Sequence, residues 1–337
     1  MTEPFDLITM GRIGVDIYPQ QTGVSLAEVE TFAKFLGGSA TNVAVAAARL
    51  GRRTAVISRT GDDPFGEYVH RALRDFGVDD RWVTPVAEYP TPVTFCEIFP
   101  PDDFPLYFYR RPKAPDLEVH AGELDMAAVR SAHLFWFTGS GLCEEPSRGA
   151  TLAALAARSG DAAGSGARTA TVFDLDWRPM FWGGAGGASG DGGATGPEAM
   201  ERARPVYREA LAHATVAVGN LDEVEVATGR RDPLAGAEAL LAAGVELAVV
   251  KQGPKGVLAV HRDGTTAQVP PLPVEVVNGL GAGDAFGGAL CHGLLGGWDL
   301  ERTMRHANAA GAIVASRLAC SAAMPTPDEI EAFLAGG

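Results

Sequence analysis

Short apolar runs alternate with helical patterns along most of this chain, and that alternation constrains the fold more than any other feature. Runs at Phe5–Met10, Thr54–Ser58, Leu134–Thr138, Thr171–Leu175, Thr215–Val218 and Glu246–Val250 read as strands. Several are apolar on both sides of the pleat, as in a parallel sheet covered on both faces. Apolar residues at helical spacing predict helices over Thr41–Leu50, Pro64–Phe76, Ser147–Ala157, Glu198–Leu211, Asp222–Thr228, Leu234–Ala243, Asp284–Leu295 and Leu300–Ser316. This order implies an α/β fold with a doubly wound, mostly parallel sheet flanked by helices. At 337 residues the chain has room for one large α/β domain or two smaller ones.

Two kinds of segment break the alternation. Val93–Phe99 and Leu106–Arg110 read as strands joined by the Pro-rich turn from Pro100 to Pro105, with no helix between them. They are expected to form an antiparallel hairpin set off from the main sheet, in the manner of a flap or lid. Gly183–Gly196 is glycine-rich and nearly free of apolar side chains, so it cannot pack a core and is expected to be a mobile surface insertion; Ser159–Gly166 is a milder case.

The densest chemistry lies in Asn278-Gly279-Leu280-Gly281-Ala282-Gly283-Asp284. A Gly-Ala-Gly turn ahead of a helix lets the backbone approach an anion, and the helix start presents free N–H groups with the positive end of the dipole. Asp284 would repel the phosphate such a turn attracts, so its evident use is as a base toward a hydroxyl that attacks that phosphate. Leu36-Gly37-Gly38-Ser39-Ala40-Thr41-Asn42 is a second small-residue turn, before an Ala-rich helix, where Asn42 can both donate to and accept from sugar hydroxyls. Asp16, just past the first strand, is a further carboxylate for hydroxyls or an ordinary turn residue.

Other strand ends also carry candidates. Lys251-Gln252-Gly253-Pro254-Lys255-Gly256 suits a tight connection beside a nucleotide, or a plain hairpin. Asn220 and Glu223, at N-x-x-E spacing, either cap a helix or place Glu223 against a water of a Mg²⁺ shell, since Mg²⁺ takes few direct protein ligands. Asp174-Leu175-Asp176-Trp177-Arg178 closes a strand where open α/β sheets bind ligands, and the Arg178 guanidinium suits a carboxylate or phosphate. Arg110, Arg111 and Lys113 form a small basic cluster at the end of the hairpin.

Several classes are excluded or disfavoured. No G-x-x-x-x-G-K-[ST] loop occurs, G-x-G-x-x-G does not follow the first strand, and the seven histidines lack metal-ligand spacing. The four cysteines form no C-x-x-C pair and read as buried free thiols. A formal net charge of −14 argues against nucleic acid or an anionic membrane as partner. No apolar run is long enough to span a bilayer, and the acidic start is unlike a secretory signal, so a cytoplasmic location is expected.

Taken together, the turns at Gly37–Gly51 and Asn278–Phe286, in this order and separation, resemble the pfkB (ribokinase-like) family of carbohydrate kinases across almost the whole chain. The resemblance implies one ribokinase-like domain over 1–337, with a small β-sheet lid formed mainly by about 12–35 and 91–113. It implies use of ATP and Mg²⁺, with the possible help of a monovalent cation, and a homodimer paired through the lid. Asp284 would be the catalytic base, and the N–H groups of Leu280, Gly281, Ala282 and Gly283 would cradle the transferred phosphoryl group. Asp16, Gly37, Gly38 and Asn42 would hold the sugar. Asn220, Lys251, Gly253, Gly256 and Asn308 would border the nucleotide, and Glu223 would meet the metal through water. The family's usual D-T-x-G-A-G-D opening is here Asn278-Gly279-Leu280-Gly281, which bears on cation assistance and phosphate contacts while keeping the anion hole and base. The segments Phe32–Gly51, Thr91–Pro115, Asp174–Trp182 and Val276–Gly288 are similar to the family's sugar-acid kinases, in which a lid Arg and a sheet-end Arg clamp the carboxylate; Arg110 and Arg178 fall at those positions. The expected partners are therefore a small sugar acid and ATP. Two alternatives are a kinase of the same family acting on a neutral sugar or nucleoside, and a non-catalytic sugar or nucleotide sensor on the same fold.

Overall fold

The structure, a computed structural model, describes residues 3–159, 169–183 and 196–336. Apart from their end residues Ser159, Gly183 and Gly196, the two expected insertions lie outside the described residues.

In chain order the strands are β1 (Leu7–Met10), β2 (Gly14–Pro19), β3 (Phe32–Gly37), β4 (Thr54–Gly61), β5 (Val78–Val86), β6 (Val93–Cys96), β7 (Leu106–Tyr109), β8 (Leu134–Thr138), β9 (Ala170–Asp174), β10 (Val216–Asn220), β11 (Leu247–Lys251), β12 (Val257–His261) and β13 (Thr266–Val269). The helices are α1 (Ser39–Arg49), α2 (Pro64–Asp75), α3 (Met126–Ser131), α4 (Ser147–Ser159), α5 (Gly196–Leu211), α6 (Leu221–Thr228), α7 (Pro233–Ala243), α8 (Ala282–Leu295), α9 (Leu300–Ala315) and α10 (Pro327–Gly336).

The large sheet runs β13-β12-β11-β10-β9-β8-β1-β4-β5. It is parallel from β5 through β11 and antiparallel only at the β11–β12–β13 edge. Because successive side chains point to opposite faces, each strand feeds two cores. Leu134, Trp136, Val172, Val216 and Val249 pack with α1, α2, α8, α9 and α10. Phe135, Phe137, Phe173, Ala217 and Val250 pack with α3 to α7 on the other face. The expected strands thus read as continuous apolar runs for the reason inferred from their pattern.

α1 and α8 pack almost backbone to backbone. A Cβ on Gly288 would collide with Ala46 of α1, so the glycine in α8 and the alanines in α1 permit the approach. Both helices begin two residues before the expected starts, so Asp284 stands in the first turn of α8 and not at its first residue.

The expected hairpin forms as β6–β7, and it is part of a separate four-stranded sheet of order β3-β2-β6-β7. The added strands were not legible as strands in the sequence. The register pairs Asp16 with Phe35 and Thr94, and Thr94 with Phe108, placing these on one face. Ile17, Lys34, Phe95 and Tyr107 share the other. All four cysteines are free thiols, three buried and Cys143 half-buried. No helix among the described residues is long and apolar enough to cross a membrane.

Candidate active site

Chain segments leaving the carboxyl ends of β1, β8, β9, β10 and β11 converge with the first turns of α1 and α8, where an open α/β sheet binds its ligands. Gly281 caps α8 at φ 81°, a conformation open to glycine, and no side chain caps this helix. The first-turn N–H groups of α8 therefore stay available to an anion. Leu280 differs from the expectation: its N–H donates to Asn278 Oδ1 at 3.1 Å and so is already engaged within the fold. Asn278 is fully buried and also donates to the Leu318 carbonyl at 2.7 Å, a backbone-bracing role for the residue that replaces the family's usual acid.

Asp284 is half-buried and accepts a 2.8 Å hydrogen bond from Asn42 Nδ2. Loss of solvent pushes its carboxyl up to about 7, with Asp176 adding repulsion; Asn42, Arg12 and Lys251 pull in the other direction. Asn42 Oδ1 is buried with no partner among the described residues. Asp16 is buried, accepts from Tyr18 Oη at 3.0 Å, and is pushed up to about 6 by burial, against the pull of Tyr18 and Arg12. A side chain on Gly37 would overlap its carboxyl, and Gly38 (φ 104°) turns the chain into α1. Tyr18 Oη also lies 2.8 Å from Cys320 Sγ, and that sulfur packs against Gly281.

The β9 end carries a charged network. Asp176, at φ 30°, meets Arg12 Nη2 at 3.2 Å and Arg178 Nη2 at 3.4 Å, and accepts from Ser39 Oγ at 3.0 Å and from Ser140 Oγ. Burial pushes Asp176 up, but the two guanidiniums and the hydroxyls outweigh it and hold the carboxyl well below the usual range. Arg110 takes a different partner: both its amino groups donate to Asp116, at 2.9 and 2.7 Å. Lys113 is likewise matched by Glu118 at 2.7 Å and Glu144 at 3.5 Å. The basic cluster at the end of the hairpin is thus largely neutralised within the fold.

On the opposite side, Asn220 and Glu223 form a reciprocal capping box on α6, at 2.9 and 2.6 Å. Lys251 Nζ lies 3.4 Å from the place a Cβ on Gly283 would occupy, beside the α8 first turn. Burial works against its charge, but Glu223, Asp174 and Asp284 outweigh it and raise its pKa. Asp174 is buried and pushed well up by desolvation, with Asp176, Glu223 and Asp284 adding repulsion against Lys251. Gly253 (φ 56°) and Gly256 (φ 88°) form the turn after β11; Gly256 abuts Pro270, whose carbonyl accepts from Asn308 Nδ2 at 3.0 Å.

Among the described residues no group of three or more His, Cys, Asp or Glu side chains could hold a metal by itself. The mutually repelling buried carboxyls of Asp174 and Glu223 nevertheless fit a Mg²⁺ ion that brings water and phosphate oxygens as its main ligands. Sequence reasoning missed Arg12, Ser39 and Ser140, which lie just past strand ends or inside a turn valued for its glycines. The usable signal was a charged residue two positions after the apolar run of β1.

A profile of the pfkB family of carbohydrate kinases matches residues 5–327. The chain is similar to the 5-dehydro-2-deoxygluconokinase of Photobacterium profundum, at 34% identity over 98% of this chain and 95% of that one. It is also similar to the enzyme of the same name from Clostridium tetani, at 30% identity over 98% and 93%. In structure it resembles a candidate ribokinase II of E. coli in complex with ATP and Mg²⁺, with a TM-score of 0.84 at 23% identity over 99% of this chain and 100% of that one.

Proposed function

The chain belongs to the pfkB family of carbohydrate kinases, and on that premise we propose that it moves the γ-phosphoryl group of ATP to the 6-hydroxyl of 5-dehydro-2-deoxy-D-gluconate. The products are ADP and the 6-phosphosugar acid, a step of myo-inositol catabolism. One observation carries the chemistry: a carboxyl tuned toward neutrality, Asp284, sits in the uncapped first turn of α8 and is held by Asn42. The substrate rests on the two relatives' names and near-full coverage.

In this reading Asp16 and Asn42 hold the sugar hydroxyls, with Asn42 Oδ1 offering its free acceptor capacity. Asp284 takes the proton of the 6-hydroxyl as that oxygen attacks phosphorus in line. The N–H groups at Gly281, Ala282 and Gly283, with the Lys251 ammonium, hold the charge that spreads over the transferring group. Glu223 and Asp174 hold the hydration shell of Mg²⁺, which when bound neutralises phosphate charge. The turn at Gly253–Gly256 and Asn308 border the adenosine. The small sheet is the lid: its inner face presents Asp16 and Phe108 to the sugar, and closure excludes the water that would waste ATP. Its outer face carries Phe32, Phe95 and Tyr109 edge to face, with Phe32 and Tyr109 exposed, which supports pairing between lids in a homodimer. The reading carries a cytoplasmic location, where ATP is supplied.

The test is ADP release with Mg-ATP across 5-dehydro-2-deoxygluconate, 2-keto-3-deoxygluconate, ribose, fructose and adenosine. The first substrate is expected to give the highest kcat/KM. A faster neutral substrate sinks the substrate assignment, and binding without ADP release sinks the kinase chemistry.

A further inference from the structure

A sugar acid needs a cation at its carboxylate end, and the two arginines singled out by sequence position differ in how completely a carboxylate engages them. Arg110 is bidentate to Asp116, so that pair is neutral and geometrically complete. Around Asp176 the geometry is different, because two guanidiniums share one carboxylate and Arg12 reaches it through a single nitrogen.

Arg12 is the more buried of the two. It leaves the carboxyl end of β1 and is 7% exposed. Nε donates to Ser140 Oγ at 2.9 Å, and Nη2 donates to Ser39 Oγ at 3.0 Å and to Asp176. Its guanidinium carbon lies 5.6 Å from the ring centres of Phe108, on the inner face of the small sheet, and of Phe181. The third nitrogen, Nη1, makes no hydrogen bond among the described residues. A planar cation is thus locked on one edge, flanked by aromatic rings and close enough to Asp16, the residue proposed for the sugar hydroxyls, for its charge to pull that carboxyl down.

We infer that Arg12, oriented by Asp176, Ser39 and Ser140, receives the carboxylate of the sugar acid and sets the preference for acids over neutral sugars, while Arg110 is a structural cation locked to Asp116. This assignment rests on the sugar-acid reading above. It names a residue outside the lid and sheet-end pair expected from the resemblance.

The experiment compares kcat/KM for 5-dehydro-2-deoxygluconate with that for its C1 amide, which keeps every hydroxyl but lacks the charge. Wild-type enzyme is expected to favour the acid. Arg12→Gln should lower that acid-to-amide ratio by roughly 10–10²-fold, the loss of one charge-assisted hydrogen bond, mainly through KM. Arg12→Lys should fall between, and Arg110→Gln should leave the ratio unchanged. An unaltered KM for ATP reports an intact fold; should Arg12→Gln not fold, Arg12→Lys and Arg110→Gln decide. If the wild type shows no preference for the acid, the sugar-acid reading falls and this assignment with it. If the wild type prefers the acid but Arg110→Gln erases the preference, or the Arg12 variants weaken acid and amide equally, the reading stands and Arg12 loses its role.

Discussion

Asn42 on α1 and Asp284 on α8 stand 242 positions apart in sequence and 2.8 Å apart in space, amide to carboxylate. The bond joins the helix that follows the sugar-side turn to the helix that follows the phosphate-side turn. It forms because Gly288 lets α8 settle against Ala46 of α1.

Asp284→Asn should lower turnover by roughly 10²–10⁴-fold, the usual worth of a positioned base. In the wild type, kcat/KM should rise with pH along an acid limb centred near 7, because the ionised carboxylate is the working form. Asp284→Asn should lose that limb. Stability should move in the opposite direction. A carboxyl whose folded pKa lies above its unfolded value costs stability once the unfolded form ionises, and the cost is complete above about pH 7. The variant's melting temperature should therefore exceed the wild type's at pH 8, and the difference should shrink as pH falls toward 4. Near-normal turnover removes Asp284 from the base role.

Asn42→Ala removes the hydrogen bond that favours the charged form of Asp284. The acid limb should shift to higher pH, and the KM for the sugar should rise as the second Asn42 contact goes. A pH–rate profile reads both. A lower kcat with an unmoved limb would mean that Asn42 positions the substrate without tuning the base.

Gly281→Ala places a Cβ against Cys320 Sγ at a backbone angle, φ 81°, that alanine resists. The strain should cost about 1–3 kcal/mol and displace the first turn of α8. Turnover should fall more than substrate binding, because the displaced N–H groups matter most at the transition state. Steady-state kinetics beside a melting curve checks this; unchanged kcat means the turn is not the phosphoryl cradle.

Asp176→Asn leaves Arg12 and Arg178 without their shared counter-charge. Removing one partner of a buried ion pair typically costs about 3–5 kcal/mol. Because the folded pKa of Asp176 is depressed, its stabilisation is present above the unfolded value near pH 4 and fades as pH falls through the folded value. The deficit of the variant should thus be full at neutral pH and narrow only below about pH 4. A variant as stable as the wild type at pH 7 would show that the network is solvated and carries little energy.

Sequence patterning by itself determined the layered α/β architecture, since apolar runs on both faces of a strand can be satisfied only between two helical layers. It also determined the Gly281–Asp284 turn, because glycine spacing before a helix is a local signal. The partners of these residues were not legible. N-x-x-E at Asn220 and Glu223 does not distinguish a cap from a metal shell, and the fold forms the cap while also burying Glu223 within reach of the Asp174 charge. Arg110 and Arg178 looked equivalent as cations, and only the packing showed that Asp116 satisfies one while Asp176 is divided between the other and Arg12. The convergence of Arg12, Ser39, Ser140 and Asp176 joins four segments that share no periodicity or motif. Local propensity records which backbone each residue favours, whereas the charge a buried arginine has left over depends on which carboxylates the tertiary fold brings within reach.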